Sequence, residues 1–341
     1  MFHFSTRNAL LPSAALAIML GISACGGGDS DPAPAEVTPP PAGTTPPPAA
    51  TAPPPTGTTP PAALPTKALG LTDQRSSATA GTVRLVGFDI ATPNTLTSDV
   101  VITSPAGVGA FAATEWIFGM DYRPADGFLW GLTNRGRLYT IDPGTGVATF
   151  KVALVADPAA PGFTGLDSST SVSVDFNPQL DRMRVVTFTG QNLSVNVLSG
   201  LTTVQTPVPV IASPPAPFPG FSWVAGVAYS NNIAGATSTT LYTINNQNDN
   251  LSTQTTPASG TQAAVGTGLT VAIGEVQGFD IAGSTNQLAL AALSPDGAVG
   301  PHALYNINLT SGVATLRGTS LPASQIGGAT GRPLVDIAIR P

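Results

Sequence analysis

Hydrophobic residues alternate with small, polar or acidic ones in five short runs spaced about 50 residues apart along this chain. Gly119-Met120-Asp121-Tyr122-Arg123-Pro124 recurs as Ser173-Val174-Asp175-Phe176-Asn177-Pro178 and as Gly226-Val227-Ala228-Tyr229-Ser230-Asn231. It returns as Gly278-Phe279-Asp280-Ile281-Ala282-Gly283, and the chain ends on Asp336-Ile337-Ala338-Ile339-Arg340-Pro341. A strand-built repeat of this length predicts an all-β fold, a β-propeller with one blade per repeat, each run being the innermost strand of its blade. Outside the first twenty-odd residues no window sustains apolar spacing at i, i+3, i+4 and i+7.

The strands between these runs follow the same logic. In the first full blade, Ile117 to Pro124 is the inner strand, Gly127 to Thr133 the second, Arg137 to Asp142 the third and Val147 to Val152 the outer one. The turn Asp142-Pro143-Gly144-Thr145-Gly146 carries turn chemistry at every position. The third strand and its turn recur as Leu193 to Asn196 with Gly200, Leu241 to Asn245, Leu304 to Asn308 with Gly312, and Leu85 to Asp89. The Asp or Asn that ends each copy is expected to cap the turn through its own side chain. Leu85 to Asp89 has no inner strand ahead of it, and Leu334 to Pro341 has nothing after it. Joining the two gives five four-stranded blades, with Lys67 to Thr103 supplying the outer three strands of the fifth and the C-terminus its inner strand. Closure of this kind removes exposed sheet edges. Thr202 to Phe221 is rich in proline and is expected to be a loop, not a sixth blade.

Ahead of the propeller, residues 1–24 read as a lipoprotein signal peptide. Arg7 provides the positive start, Ala9 to Gly21 an apolar stretch too short to span a bilayer, and Ile22-Ser23-Ala24-Cys25 a lipobox-like cleavage site. Cys25 is the single cysteine of the chain and the expected lipidation site. Its acyl chains, at about 0.8 kcal/mol per buried CH₂, would hold the protein on a membrane. Gly26 in place of an Asp after the cysteine favours the outer membrane in a Gram-negative cell. Residues 25–66 form a Pro/Thr/Ala-rich tether with no core-forming composition, and residues 67–341 form the propeller.

Charged residues make up only 9% of the chain and the formal net charge is −6. No basic stripe exists to release counterions, so nucleic acid is not an expected partner. A monomer is expected, bound to the membrane through its lipid and meeting an envelope protein or glycan.

The motifs Gly131-Leu132-Thr133-Asn134 with Gly136 to Asp142, Asp181-Arg182-Met183-Arg184-Val185-Val186 followed by Thr189 to Leu193, and Ala225 to Asn232 running into Gly235-Ala236-Thr237 resemble the bacterial family known as domain of unknown function 4394. The resemblance covers nearly all of residues 67–341, departs between Thr202 and Phe221, and implies a propeller without implying an activity.

Catalytic chemistry has few places to sit. His302 is the one histidine beyond the signal segment and is expected on a solvent-facing loop; no multi-histidine or thiolate metal site is possible, and no cofactor is expected. Glu115 and Glu275 stand just ahead of two inner strands, and their carboxylates at one channel mouth carry the alternative reading, an envelope polysaccharide hydrolase. Ser171 and Ser222 occupy the matching places in other blades. Asp121, Asp175 and Asp280 take the same position of three inner strands, where Ala228 and Ala338 stand in the other two. They form a partial carboxylate ring suited to Ca²⁺ or a polyol, or else accept hydrogen bonds from the next blade, the commoner use of a repeated acid. Arg182 and Arg184 share one strand face, to pair with Asp181 or acids of an adjacent blade, or to bind a ligand. Trp116 and Trp223 precede equivalent inner strands, where they either flank a channel mouth or fill space between blades.

Overall fold

The computed structural model describes residues 64–73, 82–168, 171–209, 222–274, 278–284, 288–294 and 300–341, all within one compact unit that begins at Pro60. The signal segment, Cys25 and the tether as far as residue 63 lie outside the described residues, as does Glu275.

The described strands form five antiparallel sheets, each ordered from an inner to an outer strand. Blade 1 comprises Ile117–Tyr122, Leu129–Thr133, Arg137–Ile141 and Ala148–Ala153. Blade 2 comprises Val172–Asn177, Arg182–Thr187, Asn192–Val195 and Leu201–Gln205, and blade 3 Val224–Tyr229, Leu241–Asn245, Asn250–Gln254 and Ala263–Ala264. Blade 4 comprises Gly278–Ala282, Leu288–Leu293, Ala303–Ile307 and Ala314–Leu316. Blade 5 is built from both ends of the domain: Leu334–Ala338 is its inner strand, followed outward by Lys67–Thr72, Arg84–Asp89 and Leu96–Val101. Each inner strand lies against that of the next blade, and the last returns to the first, so the ring closes.

Three expectations are corrected. The proline-rich stretch expected as a loop from Thr202 to Phe221 begins as strand, since Thr202 to Gln205 pair with Asn192–Val195 in blade 2, and its residues 210–221 lie outside the described residues. Blade 2 gains a fifth element, Val155–Ala156, which pairs in parallel with its outer strand. Leu241–Asn245 is the second strand of blade 3 and not the third, because it pairs directly with the inner strand Val224–Tyr229. The capping chemistry that suggested otherwise is real: Asn245 Oδ1 accepts from the Gln247 and Asn248 N–H groups, as Asp142, Asn196 and Asn308 do in their own turns. Such a residue marks a turn wherever it falls in a blade.

The glycines that end these outer turns serve the joints between blades. Val155 N–H, on the chain leaving blade 1, donates to Gly200 O at 2.9 Å, and Thr103, leaving blade 5, bonds Gly146 and Ala148 of blade 1 in the same way. Gly200 has φ +75°, and a Cβ there would overlap the Ala153 carbonyl. Gly200→Ala is therefore expected to cost about 2 kcal/mol or more, through left-handed strain and overlap with backbone, lowering Tm by roughly 5 °C. Gly144→Ala, in an exposed turn without positive φ and with a Cβ contact of 3.4 Å, should melt like the wild type. Equal melting of all three proteins would contradict the role assigned to Gly200.

Apolar clusters fill the spaces between blades, each drawing on two neighbouring sheets. They are unequal. Among the described residues the space between blades 2 and 3 holds six buried apolar residues, against twelve to fourteen in each of the other four.

Candidate functional site

The inner strands converge on a cluster of carboxylates at the ring's centre. Asp121, Asp175 and Asp280 each bring an oxygen to within 4.8 Å of the others, and all three are buried. Every one is bonded to the next blade. Asp121 Oδ2 accepts from the Phe176 N–H at 2.9 Å, Asp175 Oδ1 from Tyr229 N–H at 3.1 Å, and Asp280 Oδ2 from Ile339 N–H at 2.6 Å. Asp121 and Asp280 use their other oxygens on the N–H of the following residue in their own strands. Strand alternation explains the repeat: one residue in two points at the neighbouring blade, whose inner strand offers its N–H groups there.

A fourth carboxylate belongs to this set. Asp336 is 1% exposed; its Oδ2 accepts from Met120 N–H at 2.9 Å and its Oδ1 from Ile337 N–H at 3.0 Å. It stands two residues ahead of Ala338, at the position that Gly119 and Gly278 fill in other blades. In blade 2 that position is Ser173, whose hydroxyl accepts from Val227 N–H. Two layers of acceptors thus stitch the ring. At Gly278 the second layer has no room for a side chain, because a Cβ would lie 2.6 Å from Ile337 N. The one-residue alignment of acids concealed Asp336; its parity with Ala338 on the same strand face was the available signal.

Burial, first, and then mutual repulsion set the protonation of this cluster. Burial and the neighbouring Asp280 and Asp336 charges push the Asp121 carboxyl well above the usual range. Asp175 is pushed up by burial and then by Asp121 and Asp280, Asp336 mainly by burial, and Asp280 by burial up to about 7. Three buried acids this close, with Asp336 near enough to act on Asp121 and Asp175, cannot all carry charge without a cation, so protons are shared within the cluster. The spacing is one that Ca²⁺, with oxygens at about 2.4 Å, would fit.

The remaining candidates lie elsewhere. Glu115 does not open to the channel mouth: it is 5% exposed and its oxygens accept from Arg137 Nε at 2.8 Å, from Arg137 Nη2 and from Ala112 N–H at 2.9 Å. Burial alone would raise its carboxyl, but the Arg137 and Ala112 bonds outweigh it and hold the group below its ordinary value. A glycosidase acid requires the opposite shift. His302 is not solvent-facing but 3% exposed, and its Nδ1 accepts from Leu334 N–H at 3.1 Å, tying blade 4 to the closing strand.

Asp181 pairs with neither nearby arginine of its own blade. It bonds Arg123 of blade 1, with Nε to Oδ1 at 2.7 Å. Arg182 is half-buried, whereas Arg184 is 5% exposed and bonds only neutral groups. Trp116 packs near Phe118, with ring centres 6.4 Å apart, and Trp223 packs edge-on to Phe188 at 5.2 Å. Their carbonyls accept from Asn134 and Asn246, each just past the second strand of its blade, which confirms their equivalence.

Architecture and centre together define a five-bladed β-propeller whose inner acids join its blades. Residues 84–338 match the family described as Domain of unknown function (DUF4394), and the chain belongs to that family. No curated protein matches the sequence. Among solved structures, the chain is similar to one in a nidogen/laminin complex, at 8% identity over 81% of this chain and 98% of that one, TM-score 0.39. It is similar to an auxiliary nutrient binding protein from Bacteroides ovatus at 13% identity, covering 62% and 53% of the two chains with TM-score 0.32. It is also similar to the β-propeller domain of Cps50 (Swd1) from Myceliophteria thermophila at 10% identity, covering 78% and 71%, TM-score 0.33. Nothing about activity passes from them to this chain.

Proposed function

We propose that this protein is a lipid-anchored propeller of the bacterial cell envelope that serves as a non-catalytic binding or scaffold module for an envelope protein or glycan. One observation supports the non-catalytic reading above the rest: the described carboxylates that chemistry would need are already committed. Glu115 is spent on Arg137, and the four central acids are spent on backbone N–H groups of neighbouring blades. The anchor rests on Cys25 and its lipobox, and the tether would let the folded domain stand off the lipid surface by a distance on the order of 100 Å.

Two measurements test the proposal. Cys25→Ser should leave the precursor unprocessed and change its membrane fractionation; an unchanged processed mass and unchanged detergent-dependent release would overturn the anchor. The purified protein, incubated with cell-envelope polysaccharide, should release no reducing ends. Release that disappears in Glu115→Gln would replace the scaffold with a hydrolase.

A further inference from the structure

Among the described residues, the space between blades 2 and 3 holds the smallest of the five apolar clusters and, beside it, a group of buried polar side chains. Arg184, on the second strand of blade 2, reaches across: its Nε donates to the Tyr229 hydroxyl of blade 3 at 3.1 Å, and its Nη1 donates to Asn192 Oδ1 at 2.6 Å and to Gln205 Oε1. All three acceptors are neutral. Among the described residues no carboxylate forms an ion pair with this buried guanidinium. Asp175, its register partner, is bonded to Tyr229 N–H and gathered with the central acids. The connection between the two blades, residues 206–221, contains no Asp or Glu at all.

Facing Arg184, blade 3 presents unsatisfied amides. Tyr229, Leu241 and Gln254 stand in one row across three strands and therefore share a face, the one turned to Arg184. Gln254 is fully buried, and neither its Nε2 nor its Oε1 has a hydrogen-bond partner. Gln262, bonded through Oε1 to Thr243 on that face, leaves its buried Nε2 unpartnered as well. Asn192 Nδ2 donates to Pro257 O, three residues beyond Gln254, which brings the two groups of polar residues together.

An uncompensated buried cation destabilises a fold strongly, and so does each buried amide left without a partner. The cation and the unpartnered Gln254 and Gln262 Nε2 donors fall on the same interface, and one species serves both: something negative, small, and able to accept several N–H bonds. We propose that the interface between blades 2 and 3 binds a single small inorganic monoanion, of the halide class, on Arg184 with the Gln254 and Gln262 amides as further donors. The ion supplies the counter-charge that the described residues do not, and joins the two blades whose described apolar cluster is the smallest.

The test uses the whole protein. Crystals grown with bromide in place of chloride are expected to show an anomalous peak within 4 Å of the Arg184 guanidinium. In solution, exchanging acetate for chloride at constant ionic strength should raise Tm in a saturable way, following the linkage of binding to folding. Gln254→Met fills a similar volume without polar atoms. If Gln254 serves the anion, this variant should need at least tenfold more chloride for half the rise. A Gln254→Met protein that melts higher than wild type at every chloride concentration, together with no bromide at Arg184, would overturn the proposal. Arg184→Gln should lose the chloride response altogether; should it fail to fold, the Gln254→Met titration and the bromide map still decide.

Discussion

Deletion of Leu334 to Pro341 is expected to abolish a stable fold. The segment supplies the inner strand of blade 5, paired with Lys67–Thr72, and buries Leu334, Ile337 and Ile339 to 1% exposure or less. Burial of those three side chains stabilises by about 1.5–3 kcal/mol each. Its loss would also strip Asp280 of the Ile339 N–H, His302 of the Leu334 N–H and Met120 N–H of Asp336. The sum rivals the 5–15 kcal/mol that typically separates folded from unfolded domains. The truncated chain should be insoluble, or melt far below the full chain by circular dichroism. An unchanged melting temperature would remove the closing strand, and with it the five-blade ring.

The second large effect is on pH. Asp121, Asp175, Asp280 and Asp336 all bind their protons more tightly in the fold than in the unfolded chain, where Asp titrates near 3.9. Their contribution to stability is therefore complete below about pH 4 and is lost as pH rises, for Asp280 through about 7. Asp121, Asp280 and Asp336 come from the inner strands of blades 1, 4 and 5 and Asp175 from that of blade 2. Blade 3 presents Ala228, so no described basic group offsets them there. Asp99 and Glu115 act in the opposite sense: arginine bonds overcome burial and lower both, and their contribution is lost only as pH falls below about 4. Melting should accordingly be highest near pH 4 and drop by roughly 5 °C or more by pH 8, from a change on the order of 2 kcal/mol.

Asp336→Asn sharpens this test. Both Asp336 oxygens accept backbone N–H groups, so an amide NH₂ must face one of them, costing about 2–3 kcal/mol at pH 5.5. At pH 8 the deficit should shrink, because one carboxyl fewer is forced to ionise among its neighbours. Added Ca²⁺ should leave wild-type melting unmoved. A flat pH profile, with a Ca²⁺-dependent rise that vanishes in Asp175→Asn, would show that a cation neutralises the ring in place of protons.

Much of this molecule was determined by local sequence. Alternation in runs such as Val172–Asn177 fixes which residues point at a neighbouring blade, because the side-chain period of a strand is two. Asp142, Asn196 and Asn308 cap their turns through bonds two and three residues away, so their roles are readable without any fold. The half-blades at either end of the domain announced their own closure, since each lacked what the other had. What tertiary structure alone decided were contacts between strands far apart in the chain. Asp336 bonds Met120 across 216 residues, a pairing that depends on which blade follows which around the ring. His302 read as an exposed loop residue until the closing strand covered it. Glu115 read as a free acid until the register of blade 1 placed Arg137 against it. Burial, counter-charge and proton affinity belong to neighbours, and a closed ring chooses neighbours that no local pattern contains.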